Sequence, residues 1–273
     1  MGRRRFLTLL AAATMATAAA CDSKPDTPAG PKAAAETPPA PPVPPVRPAS
    51  LTPPSLLPPP LASSRVALPG GATLTKLPGN GDLLAFTVDD GVSSDVVRLY
   101  TQFAKDIGIR LTYFLNVQYR SWTDNADLLR PLVESGQVQL GNHTWSHPNL
   151  TQVSKSRIAD ELTRNDQFVQ RTYGVSMAPY FRPPYGSHNV SVDSVAASLG
   201  YTTPILWNGS LADSSVITED YAVKMAQEHF TPQSIVLGHL NHPAVTHVYP
   251  QLVEIIRSRN LRTVTFNDVF LKP

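Results

Sequence analysis

The stretch Leu83–Gly91, LLAFTVDDG, constrains the fold of this chain more than any other. Leu83, Leu84, Ala85 and Phe86, followed by β-branched Thr87 and Val88, have the length and composition of a buried strand of the kind found in parallel sheets. The run stops at two adjacent carboxylates, Asp89 and Asp90, and Gly91 then frees the backbone to turn. In parallel α/β folds, chemistry collects at the carboxyl ends of strands. Read alone, Asp-Asp-Gly is also an ordinary turn leading into a helix capped at Ser93. The residues downstream decide between the two.

From about Gly81 onward, apolar strands alternate with amphipathic helices, the mark of a parallel α/β architecture. Ser93 or Ser94 caps a helix with Val96, Val97, Tyr100, Phe103 and Ala104 at helical spacing, ending near Gly108. Strands are expected at Leu111–Leu115 and Val138–Leu140, with a helix from Asp124 to Gly136 between them. A long helix opens at Ser154 or Ser156, buries Ile158, Leu162 and Val169, and closes at Gly174. Further strands are expected at Tyr180–Phe181, Pro204–Trp207, Ile235–Leu237 and Thr263–Phe266, with helices near 192–199, 219–229 and 248–259. This makes about seven strand–helix units, slightly under the eight-unit barrel. The expected fold class is α/β, a single barrel-like domain over residues 63–273.

The first 60 residues read differently. Arg3, Arg4 and Arg5, an apolar stretch from Phe6 to Ala20, and small residues before Cys21 make 1–20 a secretory signal, too short and alanine-rich to be a membrane span. Arg3-Arg4-Arg5-Phe6-Leu7 resembles a twin-arginine signal, with general export as the alternative. Cys21 is the one cysteine, so no intramolecular disulfide forms. Its place after Ala18-Ala19-Ala20 resembles a lipidation site. Residues 21–62 form a linker, and 15 of the 27 prolines fall between Asp22 and Pro60, too rich in proline to build a core or a ladder. We expect an extended stalk, and an exported domain that is lipid-anchored or secreted. The net charge of +2 becomes −1 once the three signal arginines are removed, and no basic cluster remains. That argues against nucleic acid as a partner. Nothing in the sequence suggests more than a monomer.

Candidate chemistry gathers at the strand ends. After the third strand stands His143-Thr144-Trp145-Ser146-His147, and histidines four apart reach one ion if the backbone there turns helically. No glutamate follows His143, which excludes the zinc-protease helix motif. With one carboxylate, two histidines supply three ligands and leave a position for water. Phe181-Arg182-Pro183-Pro184-Tyr185-Gly186 follows the next strand, where two prolines fix the path that presents the Tyr185 N–H. Ile235-Val236-Leu237-Gly238-His239 puts a histidine at the end of an apolar strand. His242 reads as loop, and His188, His229 and His247 give no signal.

In order and separation, these four motifs resemble those of the polysaccharide deacetylase family, metal-dependent carbohydrate esterases that include chitin and peptidoglycan deacetylases. The resemblance implies a distorted seven-unit (β/α) barrel and one divalent ion, most commonly zinc, held by Asp90, His143 and His147. It implies Asp89 as general base, Arg182 as its orienting partner, and His239 as the acid that protonates the leaving amine, tuned by Asp213. Pro184, Tyr185, Leu237 and Trp207 would line the oxyanion and substrate subsites, with Leu237 facing the acetyl methyl. Substrates would be N-acetylhexosamine units of a polysaccharide. Two further readings keep the same residues: an O-acetyl esterase on xylan-like polysaccharide, and a catalytically silent glycan-binding protein. One region departs from the family pattern. Ser210 stands where an aspartate is expected and Ser214 where a tryptophan is, which removes an aromatic wall from the substrate site.

Overall fold

The computed structural model describes residues 56–271. The signal, Cys21 and most of the linker lie outside the described residues. Strand β1 (Leu83–Asp90) leads to helix α1 (Ser94–Ile107), capped by the Ser93 side chain accepting from the Val96 N–H and ended by Gly108 at φ 76°. Then come β2 (Leu111–Leu115), the short α2 (Ser121–Asp124), α3 (Ala126–Glu134) and β3 (Val138–Asn142). Helix α4 (Lys155–Tyr173) is capped by Ser154 and closed by Gly174 at φ 73°. It is followed by β4 (Tyr180–Phe181), α5 (Val190–Ser198), β5 (Thr203–Pro204) and β6 (Gly209–Ser210). The chain finishes with α6 (Glu219–His229), β7 (Ser234–His239), α7 (Tyr249–Ser258), β8 (Arg262–Thr263) and α8 (Phe266–Val269).

Every strand pairing is parallel, in the order β5-β4-β3-β2-β1-β7-β6. Strand β8 pairs with the first two residues of β1, and β2 pairs with its last four. The sheet curls into a barrel whose end strands, β5 and β6, do not pair among the described residues. Residues 74–77 cross the gap: Leu74 bridges Ile205 in parallel, and Lys76 bridges Ser234.

The two-residue period of the strands sorts the core into two layers. Leu84, Phe86 and Val88 of β1, with Tyr113 and Leu140, pack outward against the helices. Ala85, Phe114, Tyr180 and Ile235 join Leu74, Leu77, Val264 and Phe266 inside the barrel.

Three local expectations are corrected. The helix expected from Asp124 is two helices meeting at Asn125, whose side-chain amide donates to the Ser94 and Ser121 carbonyls. The strand expected at Thr263–Phe266 ends at Thr263, because Thr265 and Asp268 form a reciprocal capping box that starts α8. The strand expected at Pro204–Trp207 stops at Pro204. The chain then leaves β4, hydrogen-bonds Leu74 through the Leu206 N–H, and pairs with β7 as β6.

Candidate active site

Strand parity explains which side chains meet. Asp89 shares its face with Ala85 and therefore points into the barrel, whereas Asp90 shares the parity of outward-facing Val88. Asp90 is left-handed, at φ 74°, and this turns its carboxylate back to the same hollow. Gly91 at φ 105° completes the turn, and a methyl there would overlap the Trp122 indole. Asp90, Thr144, His147, Tyr185 and Ala212, five of the seven non-glycine residues with positive φ among the described residues, lie in or next to the site. Such backbone persists only where its surroundings hold it.

His143 continues the inward parity of Gln139 and Gly141. The stretch His143–His147 is not the helical turn expected from its spacing. Thr144 and His147 are left-handed, and the loop is clamped from α4 and from within. The fully buried Glu161 carboxylate accepts from the Ser146 N–H (2.7 Å) and hydroxyl (2.6 Å). Asn165 donates to Asn142, which accepts from the Thr144 N–H at 2.9 Å, and Thr144 Oγ1 accepts from the His147 N–H. Asn116 holds the His143 and Thr144 carbonyls.

His143 Nδ1 lies 2.6 Å from the Arg182 carbonyl. A carbonyl only accepts, so Nδ1 carries the proton and Nε2 offers a lone pair. That Nε2 lies 3.5 Å from Asp89 Oδ2 and 3.6 Å from Asp90 Oδ1, while His147 Nε2 lies 3.6 Å from the same Asp90 oxygen. Burial lowers the His147 pKa, as does facing His143, which outweighs the pull of Asp90 and Asp89. It therefore favours the neutral, ligating form. One donor atom from each of Asp90, His143 and His147 lies within 4.8 Å of the others. This set of two imidazoles and one carboxylate fits a divalent transition metal and leaves room for water or substrate.

Arg182 is wholly buried. Its Nη1 donates to Asp89 Oδ1 at 2.6 Å, its Nε and Nη2 donate to the Ile205 and Leu206 carbonyls, and its guanidinium lies 4.2 Å over the Phe114 ring. Burial lowers its pKa and the Asp89 charge pulls it back up, so the pair orients Asp89 as a charge-assisted unit. Across the hollow, His239 Nδ1 donates to Asp213 Oδ1 at 2.9 Å, and the other Asp213 oxygen accepts from the His239 N–H. Burial alone would lower the His239 pKa, but the Asp213 hydrogen bond and the charges of Asp89, Asp213 and Asp90 raise it overall.

The hollow holds about 580 Å³ and is lined by Asp89, Asp90, His143, His147, Tyr185, Trp207, Leu237 and His239. Arg182, Asp213 and Pro184 stand behind that lining rather than in it. Tyr185, 67% exposed and at φ 60°, sets its ring against His147. Ser210 and Ser214 open onto the hollow. Pro183 and Gly186, from the run that follows β4, also line it, as does Asn241, which was not expected from sequence. His242 and His247 line a separate neighbouring hollow. No pattern in the sequence marks Asn241. The α4 clamp did leave a signal, since Asn165 sits on the apolar stripe of Ile158, Leu162 and Val169.

Fold and site together define a partly closed parallel (β/α) barrel with an Asp-His-His set that could hold a metal ion, beside a buried Arg–Asp pair. Residues 76–204, just under half of the chain, match the polysaccharide deacetylase family model. It is 27% identical over 219 residues to a chitin deacetylase of Arthroderma benhamiae, covering 76% of this chain and 56% of that protein. It is 26% identical over 203 residues to a peptidoglycan-N-acetylglucosamine deacetylase of Bacillus cereus, covering 71% and 70%. The chain thus spans just over half the length of the chitin deacetylase. Among solved structures, a chitin deacetylase from Colletotrichum lindemuthianum superposes with a TM-score of 0.67 at 22% identity, over 76% of this chain and 94% of that one. A family 4 carbohydrate esterase pseudoenzyme from Bacillus anthracis superposes at 0.62 with 20% identity, over 71% and 66%. The fold alone therefore does not guarantee turnover, and the side chains in the hollow decide it.

Proposed function

We propose that this protein is an exported metal-dependent hydrolase that removes N-acetyl groups from N-acetylhexosamine units of a polysaccharide, through Asp89, His239 and a divalent ion at Asp90, His143 and His147. The observation that carries this reading is the convergence, in one hollow, of a complete ligand set with an Arg-paired carboxylate and an Asp-paired histidine. Glycan binding alone requires none of them to be paired this way. Bound there, the ion supplies Lewis acidity toward an acyl oxygen and brings a water nearer to ionisation at neutral pH.

The chain's own residues divide the remaining work. Asp89, held by Arg182 and facing His143 Nε2, takes the proton of the attacking water. His239 carries a proton on the Nε2 opposite its Asp213 bond and delivers it to the departing nitrogen. Water and amide thus become acetate and a free amine. The Tyr185 N–H, on a backbone fixed by Pro183 and Pro184, supports the developing oxyanion. Leu237 and Trp207 give the acetyl group and sugar ring apolar contact.

The test is acetate release from chitooligosaccharide, peptidoglycan fragments and acetylated xylan, with and without added zinc. Zinc-dependent release from an N-acetyl substrate that disappears in Asp89→Asn is the expected result. The variant also leaves the Arg182 cation buried without its carboxylate, a loss of about 3–5 kcal/mol, so its melting temperature is read alongside. Release from xylan alone would move the protein to ester hydrolysis. No release from zinc-loaded protein would leave a glycan-binding member of the family.

A further inference from the structure

We infer that Asn241 is a positioning residue for the metal site, holding Asp90 so that one carboxylate oxygen faces the two histidines. Asn241 Nδ2 donates to Asp90 Oδ2 at 2.7 Å, and its Oδ1 accepts from the Val92 N–H at 3.3 Å. The chemistry fixes the amide's orientation, because a carboxylate only accepts and an N–H only donates. The other oxygen, Oδ1, is the one that stands 3.6 Å from both His143 Nε2 and His147 Nε2. Asn241 therefore commits one oxygen and leaves the other to the metal.

Asp90 needs such a hold. Its φ of 74° is unfavourable for a residue with a Cβ, and strand parity alone would turn the side chain away from the site. On the backbone side, the Asp90 carbonyl accepts from the Asn116 N–H, and the Asn241 amide secures the carboxylate itself. The same segment stitches the two halves of the site together. The Leu240 N–H donates to the Asp89 carbonyl at 2.9 Å, and the Ser93 N–H donates to the Leu240 carbonyl at 3.1 Å. Residues 89–93 and 239–241 thus form one unit, carrying a metal ligand at one end and His239 at the other. Partners of this kind, which orient a ligand without touching the ion, are worth about tenfold to a hundredfold in metal affinity.

The inference rests on the reading of Asp90, His143 and His147 as ligands, and its test measures metal binding rather than turnover. Zinc dissociation constants are measured by chelator competition for the parent, Asn241→Leu and Asn241→Ala, the smaller variant guarding against a steric failure of leucine. Melting of the metal-free proteins and visible spectra of their cobalt(II) forms are recorded in parallel. Expected are a tenfold or larger rise in the zinc dissociation constant, metal-free melting temperatures matching the parent, and an altered cobalt spectrum as Asp90 is released. Parent-like zinc affinity would overturn the inference. So would an affinity loss matched by a loss of metal-free stability, or an unaltered cobalt spectrum. A parent that binds no zinc would overturn both this inference and the metal-site reading beneath it.

Discussion

At the scale of single residues, each side chain proposed to act is paired with a neighbour that fixes its orientation or its proton. The Arg182 carbonyl holds the proton on His143 Nδ1, and the Arg182 guanidinium keeps Asp89 oriented. Asp213 does the same for His239, whose pKa is raised overall despite its burial. A raised histidine value stabilises the folded state fully below the unfolded value near 6.5, and that stability is lost as pH rises through the higher folded value. Asp213→Asn removes the charge, so the alkaline limb of kcat/KM moves to lower pH. Stability falls mainly below about pH 6.5. A pH–rate profile with urea midpoints at acid and alkaline pH checks both, and an unmoved alkaline limb would remove His239 from the role of acid. Asp89, His143, Arg182 and His239 were legible in sequence because each continues the inward parity of an apolar strand. Asp90 was also legible as a ligand from its place beside Asp89, but its route into the site was not, because it breaks that parity and depends on a left-handed φ. Asn241 was missed, because its contact with Asp90 spans 151 residues and no local pattern encodes it.

At the scale of elements, helix α4 sets the geometry of the histidine loop. HxxxH at helical spacing suggests a helical turn, but both histidines sit on an irregular loop shaped by Glu161 and Asn165 beneath it. Glu161 is fully buried, with Arg157 at 2.5 Å and both its oxygens on Ser146, so it bears on His147 through one intervening peptide. Glu161→Ala leaves the Ser146 N–H and hydroxyl without their acceptor, at a cost of about 1–3 kcal/mol. The expected result is weaker zinc binding, with amide hydrogen exchange accelerated at residues 144–147 and unchanged in β1. Uniformly accelerated exchange would instead make Glu161 a general stabilising residue. Helix ends were read well from sequence because caps such as Ser93, Ser154 and the glycines after them act locally. The last strands were read less well, since β5, β6 and β8 are two residues long and their extents are set by their partners.

At the scale of the whole molecule, the barrel is a seven-strand path whose two ends do not meet, closed by a segment with no regular structure. Leu74 exchanges backbone hydrogen bonds with the end of β5 and the residues beyond it, where the Leu74 N–H reaches the Pro204 carbonyl and the Leu206 N–H reaches the Leu74 carbonyl. The Leu77 N–H donates to the Gln233 carbonyl, and the Gln233 side chain ties the Pro78 carbonyl to the Leu83 N–H. Leu74 and Leu77 are buried beside Ile205 and Ile235 inside the barrel. The family match begins at residue 76, inside this closing segment and past Leu74. We therefore predict that a chain starting at Gly81 loses what those two leucines contribute, about 1.5–3 kcal/mol each. Against a typical total of about 5–15 kcal/mol, that is a large share of the stability, and it lowers the melting temperature by roughly 6–24 °C. A chain starting at Thr52 keeps the segment and serves as the reference. Circular dichroism melts of the two, with the full-length double variant Leu74→Ala/Leu77→Ala beside them, separate loss of the segment from loss of its side chains. Equal melting temperatures for all three would mean that the paired strands alone carry the barrel. A shift in both altered chains would show that closure depends on residues the family's own boundary divides.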